Sequence, residues 1–143
     1  MDVIMNLAET CGVLAQMLPG DYKISDNFKV RELSCRHCGL IFVTPVLIEM
    51  LERLRKIVGV PLEVNSGYRC SFHNVEIHGS PHSKHCLGMA ADINVPDKYR
   101  MNPNEFIDAA EAVALEVRGG YHYYVSGRFV HIDCWAWPKS RRW

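Results

Sequence analysis

Two segments of the chain alternate apolar and polar residues with the period of two that is typical of half-buried β-strands. In residues 89–95 the apolar positions are Met89, Ala91, Ile93 and Val95. In residues 129–133 the apolar positions are Val130 and Ile132, and the opposite face carries Phe129, His131 and Asp133. Asp92 lies on the polar face of the first segment. If these strands are neighbours in one sheet, Asp92 and His131 share a face.

A candidate metal site follows from this arrangement, because His85 precedes Asp92 by seven residues and reaches the same face from the preceding loop. Two imidazoles and one carboxylate make three protein ligands. A catalytic zinc site uses three protein ligands and keeps a position open, whereas four ligands close a structural zinc site. Each residue alone has a structural alternative, since a single histidine is more often a surface or core residue. The combination of His85, Asp92 and His131 predicts a zinc site.

Helical periodicity marks two longer segments. Thr44 and Pro45 suit the N-cap and first position of a helix that ends at Gly59. Its expected buried stripe is Leu47, Met50, Leu51, Leu54 and Val58. A second helix begins at Asn102-Pro103, with Glu105 completing a capping box, and ends near residues 119–120. Its expected buried face is Phe106, Ala109, Ala110, Val113 and Val117.

The remaining pattern completes an α+β domain. Residues 62–66 and 121–125 read as further strands, a Ser126-Gly127 turn joins the last two strands, and residues 70–84 read as a loop. We expect a small antiparallel sheet with helices packed on one face and the zinc site on the other. The predicted domain spans residues 1–143, and residues 1–20 form an N-terminal helical extension.

Three motifs of the chain form a specific combination. They are Ser83-x-His85-x-x-Gly88-x-Ala90-x-Asp92, the later strand that carries His131, and Ser66-Gly67-Tyr68-Arg69 followed by Asn74. Together they resemble the zinc D-Ala-D-Ala carboxypeptidase and murein endopeptidase family. That family includes bacterial cell-wall carboxypeptidases, vancomycin-resistance dipeptidases and phage endolysins, and it shares a superfamily with the hedgehog signalling domain. The resemblance covers about residues 22–143 and is closest to the short, phage-type members.

The resemblance assigns roles to individual residues. It implies that His85, Asp92 and His131 bind Zn²⁺ and that Arg69 binds the substrate or the developing oxyanion. A structural salt bridge at a strand end is the alternative role for Arg69. Ser83 is expected either to cap its loop or to bind substrate.

The general base is where the chain departs from the family pattern. Relatives carry a glutamate three residues before the last zinc histidine, or a histidine two residues before it. Arg128 and Phe129 occupy these positions and cannot accept a proton. Asp133 follows His131 on the same strand face, and we predict that it is the base or that it orients a ligand. His78 and His82 are the substitutes if His85 is not a ligand.

Composition and charge narrow the possible partners. The chain has 16 basic and 16 acidic side chains, so no general electrostatic footprint for nucleic acid exists. No segment approaches the ~20 apolar residues of a transmembrane helix. The N-terminus lacks the basic region of a secretory signal. We expect a monomer that is made in the cytoplasm and acts at the cell wall, either as a phage protein released at lysis or as a truncated chain.

Six cysteines are many for a chain of this length. Cys35 and Cys38 have the Cys-x-x-Cys spacing of a structural zinc half-site or a redox pair. A second such pair is absent, so these spacings alone cannot build a four-cysteine site. Cys86 adjoins His85 but is expected to point away from the metal.

The sequence therefore predicts a zinc metallopeptidase that hydrolyses peptide bonds of peptidoglycan stem peptides, as a D-Ala-D-Ala-type carboxypeptidase or an endopeptidase. Two alternatives remain open. One is a zinc-containing module that binds the cell wall without catalysis, and the other is a phage structural or accessory protein. The absence of a conventional base favours the alternatives, whereas the three ligands together with Arg69 favour catalysis.

Overall fold

The computed structural model describes residues 19–134, so the helix expected within residues 1–20 lies almost wholly outside the described residues. The strands and helices follow in this order: β1 (Lys23–Ser25), β2 (Phe28–Lys29), α1 (Val30–Leu33), α2 (Pro45–Val58), β3 (Val64–Ser66), α3 (Ser71–Glu76), β4 (Ala90–Asn94), α4 (Asn104–Glu116), β5 (Tyr121–Tyr124) and β6 (Phe129–Asp133). Short 3-10 helices occupy Lys84–Leu87 and Asp97–Tyr99. None of the helices in residues 19–134 is long and apolar enough to span a membrane.

Four strands form one antiparallel sheet in the order β3-β4-β6-β5, and β1 and β2 form a separate small hairpin. In the central pair, Asp92 lies opposite His131, and the neighbouring apolar positions are paired as Ala91 with Ile132 and Ile93 with Val130. Residues directly opposite each other in an antiparallel pair point to the same face. The polar face therefore carries Asp92 and His131 side by side, as the alternation predicted.

The apolar face of the sheet packs against α2 and α4. Ala91, Ile93, Val130 and Ile132 are fully buried and belong to the same hydrophobic core as the buried residues of both helices. Burying a large aliphatic side chain contributes about 1.5–3 kcal/mol, so this layer supplies the main stabilisation of the domain. The α+β prediction, with helices on one face of an antiparallel sheet, is confirmed.

Helix α2 begins and ends as its sequence indicates. The Thr44 hydroxyl oxygen accepts a hydrogen bond from the Leu47 amide at 3.3 Å, and Pro45 occupies the first helical position. Gly59 ends the helix in the left-handed region, with φ of 73°, where a residue without a side chain is favoured. All five residues of the predicted stripe are buried.

Helix α4 starts differently from the prediction. Asn104 is its first residue, Pro103 precedes it as the N-cap, and the carbonyl oxygen of Pro103 accepts from the Ile107 amide at 2.9 Å. Asn102 Oδ1 accepts from the Asn104 amide, so the predicted capping box with Glu105 is not formed. Pro103 has helical dihedral angles although it precedes the first helical residue, and it offers no side-chain acceptor to the helix N-terminus. The buried residues are Phe106, Ala110, Val113 and Ala114, whereas Ala109 and Val117 are only half-buried.

The elements missed by the sequence pattern include α3 and the hairpin of β1 and β2. Residues 70–84 were expected to be a loop, but α3 occupies Ser71–Glu76, and the Cys70 sulfur at its N-cap accepts from the His73 amide at 3.4 Å. The hairpin of β1 and β2 was also unexpected. Both elements are too short to show a hydrophobic period, and α3 is capped by a residue type that is not a usual N-cap.

Replacing Thr44 by alanine should destabilise the fold by about 1 kcal/mol, because the Leu47 amide loses its acceptor. The hydroxyl also lies 3.5 Å from the Cys134 sulfur, and this contact would be lost as well. Urea denaturation measures the change as a lower midpoint at an unchanged slope. Thr44→Ser, which retains the hydroxyl, is the matched control. Equal stability of Thr44→Ala and the wild type would show that the cap contributes nothing.

Candidate metal centre

The structure brings three predicted ligands together on the polar face of the sheet. Asp92 Oδ1 lies 3.3 Å from His85 Nε2 and 3.0 Å from His131 Nδ1, and the three ligand atoms all lie within 4.8 Å of one another. Oxygen and nitrogen ligands of a tetrahedral zinc ion are separated by about 3.4 Å. The spacing of these donors, together with their chemical types, therefore fits a zinc ion.

His85 is oriented by its surroundings so that one nitrogen faces Asp92. Its Nδ1–H donates to the Gly67 carbonyl oxygen at 2.8 Å, which leaves the lone pair of Nε2 on the side of Asp92. His85 is only 3% exposed, so this ring position is fixed by packing as well. A histidine that binds zinc commonly donates its second nitrogen to a carbonyl or carboxylate oxygen in this way.

Ser83 begins the 3-10 helix that carries His85. Its hydroxyl oxygen accepts a hydrogen bond from the His85 amide at 3.3 Å, and Gly88 ends the helix with φ of 69°. Of the two roles expected for Ser83, the loop cap is therefore present in the structure. Substrate binding by Ser83 stays a prediction.

Asp133 contacts the far side of His131. Its Oδ2 lies 2.9 Å from His131 Nε2, and its Oδ1 accepts from Lys84 Nζ and from the Gly120 amide, both at 2.8 Å. Burial disfavours the carboxylate, but the hydrogen bonds from His131, Lys84 and Gly120 outweigh it and hold the pKa of Asp133 well below its usual range. Both oxygens of Asp133 are therefore engaged, and the group is a weak base.

His131 lies between two carboxylates. Burial opposes its protonation, but the hydrogen bonds to Asp133 and Asp92 raise its pKa to about 9. Burial likewise opposes ionisation of Asp92, yet its contacts with His131 and His85 lower its pKa to about 2. Without a metal, the raised pKa favours a protonated His131 at neutral pH, which can donate from both nitrogens. Zinc would replace the proton on Nδ1, while Nε2–H would continue to donate to Asp133.

Arg69 lies beside the ligand group and is 8% exposed. Its Nη1 donates to Asn74 Oδ1 at 2.9 Å, while Asn74 Nδ2 donates to the Ser80 carbonyl oxygen. Gly79 permits this arrangement, because a Cβ there would lie 2.0 Å from Asn74 Oδ1 and 2.9 Å from Arg69 Nη1. The salt bridge that was the structural alternative for Arg69 is not formed within residues 19–134. Its Nε is buried and has no hydrogen-bond partner in that range.

These side chains line an open cleft of about 630 Å³. Arg69, the ligand group and Asp133 lie along it, together with the loop that carries His78, Gly79, Ser80 and His82. His78 precedes Gly79 and has φ of 58°, a left-handed backbone conformation that is uncommon for a residue with a side chain. His78 and His82 both line the cleft, and His85, not either of them, belongs to the ligand group.

Sequence reasoning missed several residues of the site. Lys84 contacts Asp133 from 49 residues away, and no local signal predicts that contact. Tyr124 lines the cleft and stacks on Phe129, with ring centroids 4.7 Å apart. His122 lies opposite His131 in the β5–β6 pair. The alternation of β5 could have placed His122 and Tyr124 on the polar face, since both strands were recognised.

A comparison with protein families gives one match. The family model described as Peptidase M15 matches residues 26–133, which include every residue of the candidate site. A search of curated proteins finds no match. The matched range runs from the first hairpin to the last strand and contains His85, Asp92 and His131 in the geometry described above. The chain therefore belongs to the peptidase M15 family.

Proposed function

We propose that this chain is a zinc-dependent peptidase that hydrolyses peptide bonds of peptidoglycan stem peptides, of the D-Ala-D-Ala type, at the cell wall. The observation that carries the proposal is the three-donor group of His85, Asp92 and His131 at one cleft with the buried guanidinium of Arg69. Family membership supports a peptidase with a peptide substrate. The peptidoglycan substrate rests on the motifs that the chain shares with cell-wall carboxypeptidases.

His85 Nε2, Asp92 Oδ1 and His131 Nδ1 would hold the zinc ion in this proposal. When bound by three protein ligands, zinc polarises a carbonyl group and acidifies water at neutral pH. The chain's own residues have to orient the peptide beside these ligands. An open cleft suits a substrate that is one branch of a large polymer, because only the peptide has to enter it.

Arg69 would bind the substrate in this cleft. A guanidinium group stays protonated and presents several N–H donors in a fork that matches a carboxylate. Asn74 holds Nη1, while the buried Nε has no hydrogen-bond partner in residues 19–134. Because Arg69 lines the cleft, a substrate oxygen that enters the cleft is a reasonable acceptor for the guanidinium group. A terminal carboxylate or a carbonyl oxygen of the stem peptide has the required chemistry.

Of the two roles predicted for Asp133, orientation of His131 agrees better with its contacts than proton transfer does. Its two oxygens already accept from three donors, and its low pKa makes it a poor proton acceptor. We therefore propose that Asp133 is a positioning residue that acts through His131. The proton acceptor would then be His78 or His82, which both line the cleft.

One observation favours a second candidate function. No carboxylate other than Asp92 and Asp133 lines the cleft in the part of the chain that is described, and both are engaged. If neither His78 nor His82 accepts the proton, the site would suit a zinc-containing module that binds the cell wall without cutting it.

Digestion of purified peptidoglycan separates these functions. Mass spectrometry of the soluble products distinguishes removal of a terminal residue from cleavage of cross-links, and thus a carboxypeptidase from an endopeptidase. Binding to the insoluble polymer with no released fragments, by protein of full zinc content, would support the non-catalytic module and contradict the peptidase.

Alanine substitution of His85, Asp92 or His131 should remove one zinc ion per chain, as measured by plasma mass spectrometry. Zinc binding should also release the His131 proton, because the pKa of about 9 leaves this group protonated at neutral pH. Zinc affinity should therefore rise with pH up to about 9. The raised pKa stabilises the metal-free fold below pH 6.5, and this contribution is lost as the pH rises through 9. Full zinc content in all three variants would exclude this site.

Arg69→Lys should retain zinc and the fold but lose most turnover of peptidoglycan fragments. The substitution preserves the positive charge, whereas the planar fork that can bind an oxygen pair is lost. Steady-state kinetics on a purified muropeptide measures the effect. Arg53→Lys is the matched control, because Arg53 pairs with Glu116 on an exposed helix surface. Unchanged turnover in Arg69→Lys would show that Arg69 does not bind the substrate.

Asp133→Asn distinguishes the two roles of Asp133. A positioning role predicts zinc affinity weaker by about 10–100-fold, with activity partly rescued by excess zinc. A base would instead leave zinc affinity unchanged and lower turnover by about 10²–10⁴-fold at every zinc concentration. Asp97→Asn, at an exposed position away from the metal centre, is the matched control. Normal affinity and normal turnover would exclude both roles.

A further inference from the structure

A second group of possible metal ligands lies outside the cleft. The sulfur atoms of Cys35, Cys38 and Cys70 all lie within 4.8 Å of one another, and each cysteine is a free thiol. Thiolates bound to one tetrahedral zinc ion are separated by roughly 3.8 Å, given a zinc–sulfur distance of about 2.3 Å. A third sulfur beside a Cys-x-x-Cys pair has no use in a simple dithiol redox couple, which needs only two. A zinc site, by contrast, needs at least three protein ligands.

Backbone hydrogen bonds hold the turn that contains Cys35 and Cys38. The Gly39 amide donates to the Cys35 carbonyl oxygen at 2.9 Å, and the Cys35 amide donates to the Leu40 carbonyl oxygen at 2.7 Å. Gly39 has φ of 74°, which lets the chain reverse directly after Cys38. The Cys70 amide in turn donates to the Cys35 sulfur at 3.4 Å. An amide donor stabilises a thiolate, and this hydrogen bond links the turn to Cys70.

A fourth donor lies beside this group. His37 Nδ1 is 3.7 Å from the Cys70 sulfur, close to the roughly 3.6 Å expected for a nitrogen and a sulfur on one zinc ion. The His37 ring also stacks on Phe72, with centroids 4.7 Å apart. His37 is exposed and stands outside the three-sulfur group, so its ring would rotate to complete the site. Cys86 is likewise outside the three-sulfur group.

We propose that Cys35, Cys38 and Cys70 bind a second zinc ion as thiolates, with His37 as the fourth ligand. Four protein ligands leave no open position, which makes this a structural site. Binding releases the three thiol protons to solvent. The proposal does not depend on the peptidase function, because none of these residues lines the catalytic cleft.

The position of Cys70 indicates what the second zinc would do. Cys70 follows Arg69 directly and caps α3, which carries Asn74, the partner of Arg69. A zinc ion bound by all three cysteines would link Cys70, at the N-terminus of α3, to the turn that holds Cys35 and Cys38. Arg69 would thereby be fixed on its C-terminal side without any contact between the second zinc and the substrate.

Metal analysis tests the proposal on protein purified under reducing conditions with zinc and then desalted. The wild type should hold two zinc ions per chain, and Cys38→Ser and Cys70→Ser should each hold one. Serine is a good N-cap, so Cys70→Ser should preserve α3. Cys86→Ser is the matched control and should hold two. His37→Ala should weaken binding of the second zinc, and an unchanged affinity would exclude His37 as a ligand.

Cobalt substitution distinguishes the two sites. Thiolate-to-cobalt charge transfer absorbs in the near ultraviolet, and His85, Asp92 and His131 contain no thiolate. The band should appear in the wild type, in His85→Ala and in Cys86→Ser, but not in Cys70→Ser. If His85, Asp92 and His131 do not bind metal, the wild type should hold one zinc ion per chain and its cobalt form should still show this band. One zinc per chain without the band, a band that persists in Cys70→Ser, or a disulfide among Cys35, Cys38 and Cys70 in the reduced protein would overturn the proposal.

Discussion

The register between β4 and β6 is the constraint on which the candidate site depends. It places Asp92 opposite His131, 39 residues later in the chain, and it places Ala91 opposite Ile132 in the core. A slip of one residue would move Asp92 into the apolar layer, where an unpaired carboxylate is strongly unfavourable. Burial of the apolar face therefore aligns the two candidate ligands without any need for the metal.

A continuous series of polar contacts runs beside the β4–β6 pair, and donors and acceptors alternate along it. The Gly67 carbonyl oxygen accepts from His85, Asp92 lies between the two histidines, and Asp133 lies between His131 and Lys84. Two carboxylates flank His131, so the metal-free site stabilises a proton where a zinc ion would carry positive charge. The charges around His131 therefore favour a cation at this position, whether a proton or a metal ion.

The sequence predicted those parts of the molecule that local rules determine. Alternation identified β4 and β6 with the faces of Asp92 and His131, and the cap residues Thr44 and Gly59 located α2. Contacts between distant segments were not predictable in the same way. Lys84 meets Asp133 across 49 residues, and Cys70 meets the Cys35 turn across 35, because each depends on how the elements pack. The spacing of Cys35 and Cys38 indicated only half of that cluster.

The segment of residues 66–69 connects these separate parts, and its backbone matters as much as the Arg69 side chain. Gly67 accepts from His85 Nδ1, and the Arg69 amide donates to the His85 carbonyl oxygen at 3.2 Å. A Cβ on Gly67 would lie 2.7 Å from the Leu33 backbone, which has little freedom to move because Leu33 accepts from the Tyr68 amide. Glycine is therefore required there for the strand to approach α1. The motif that suggested substrate binding also orients a candidate metal ligand, so substitutions in it should alter both functions together.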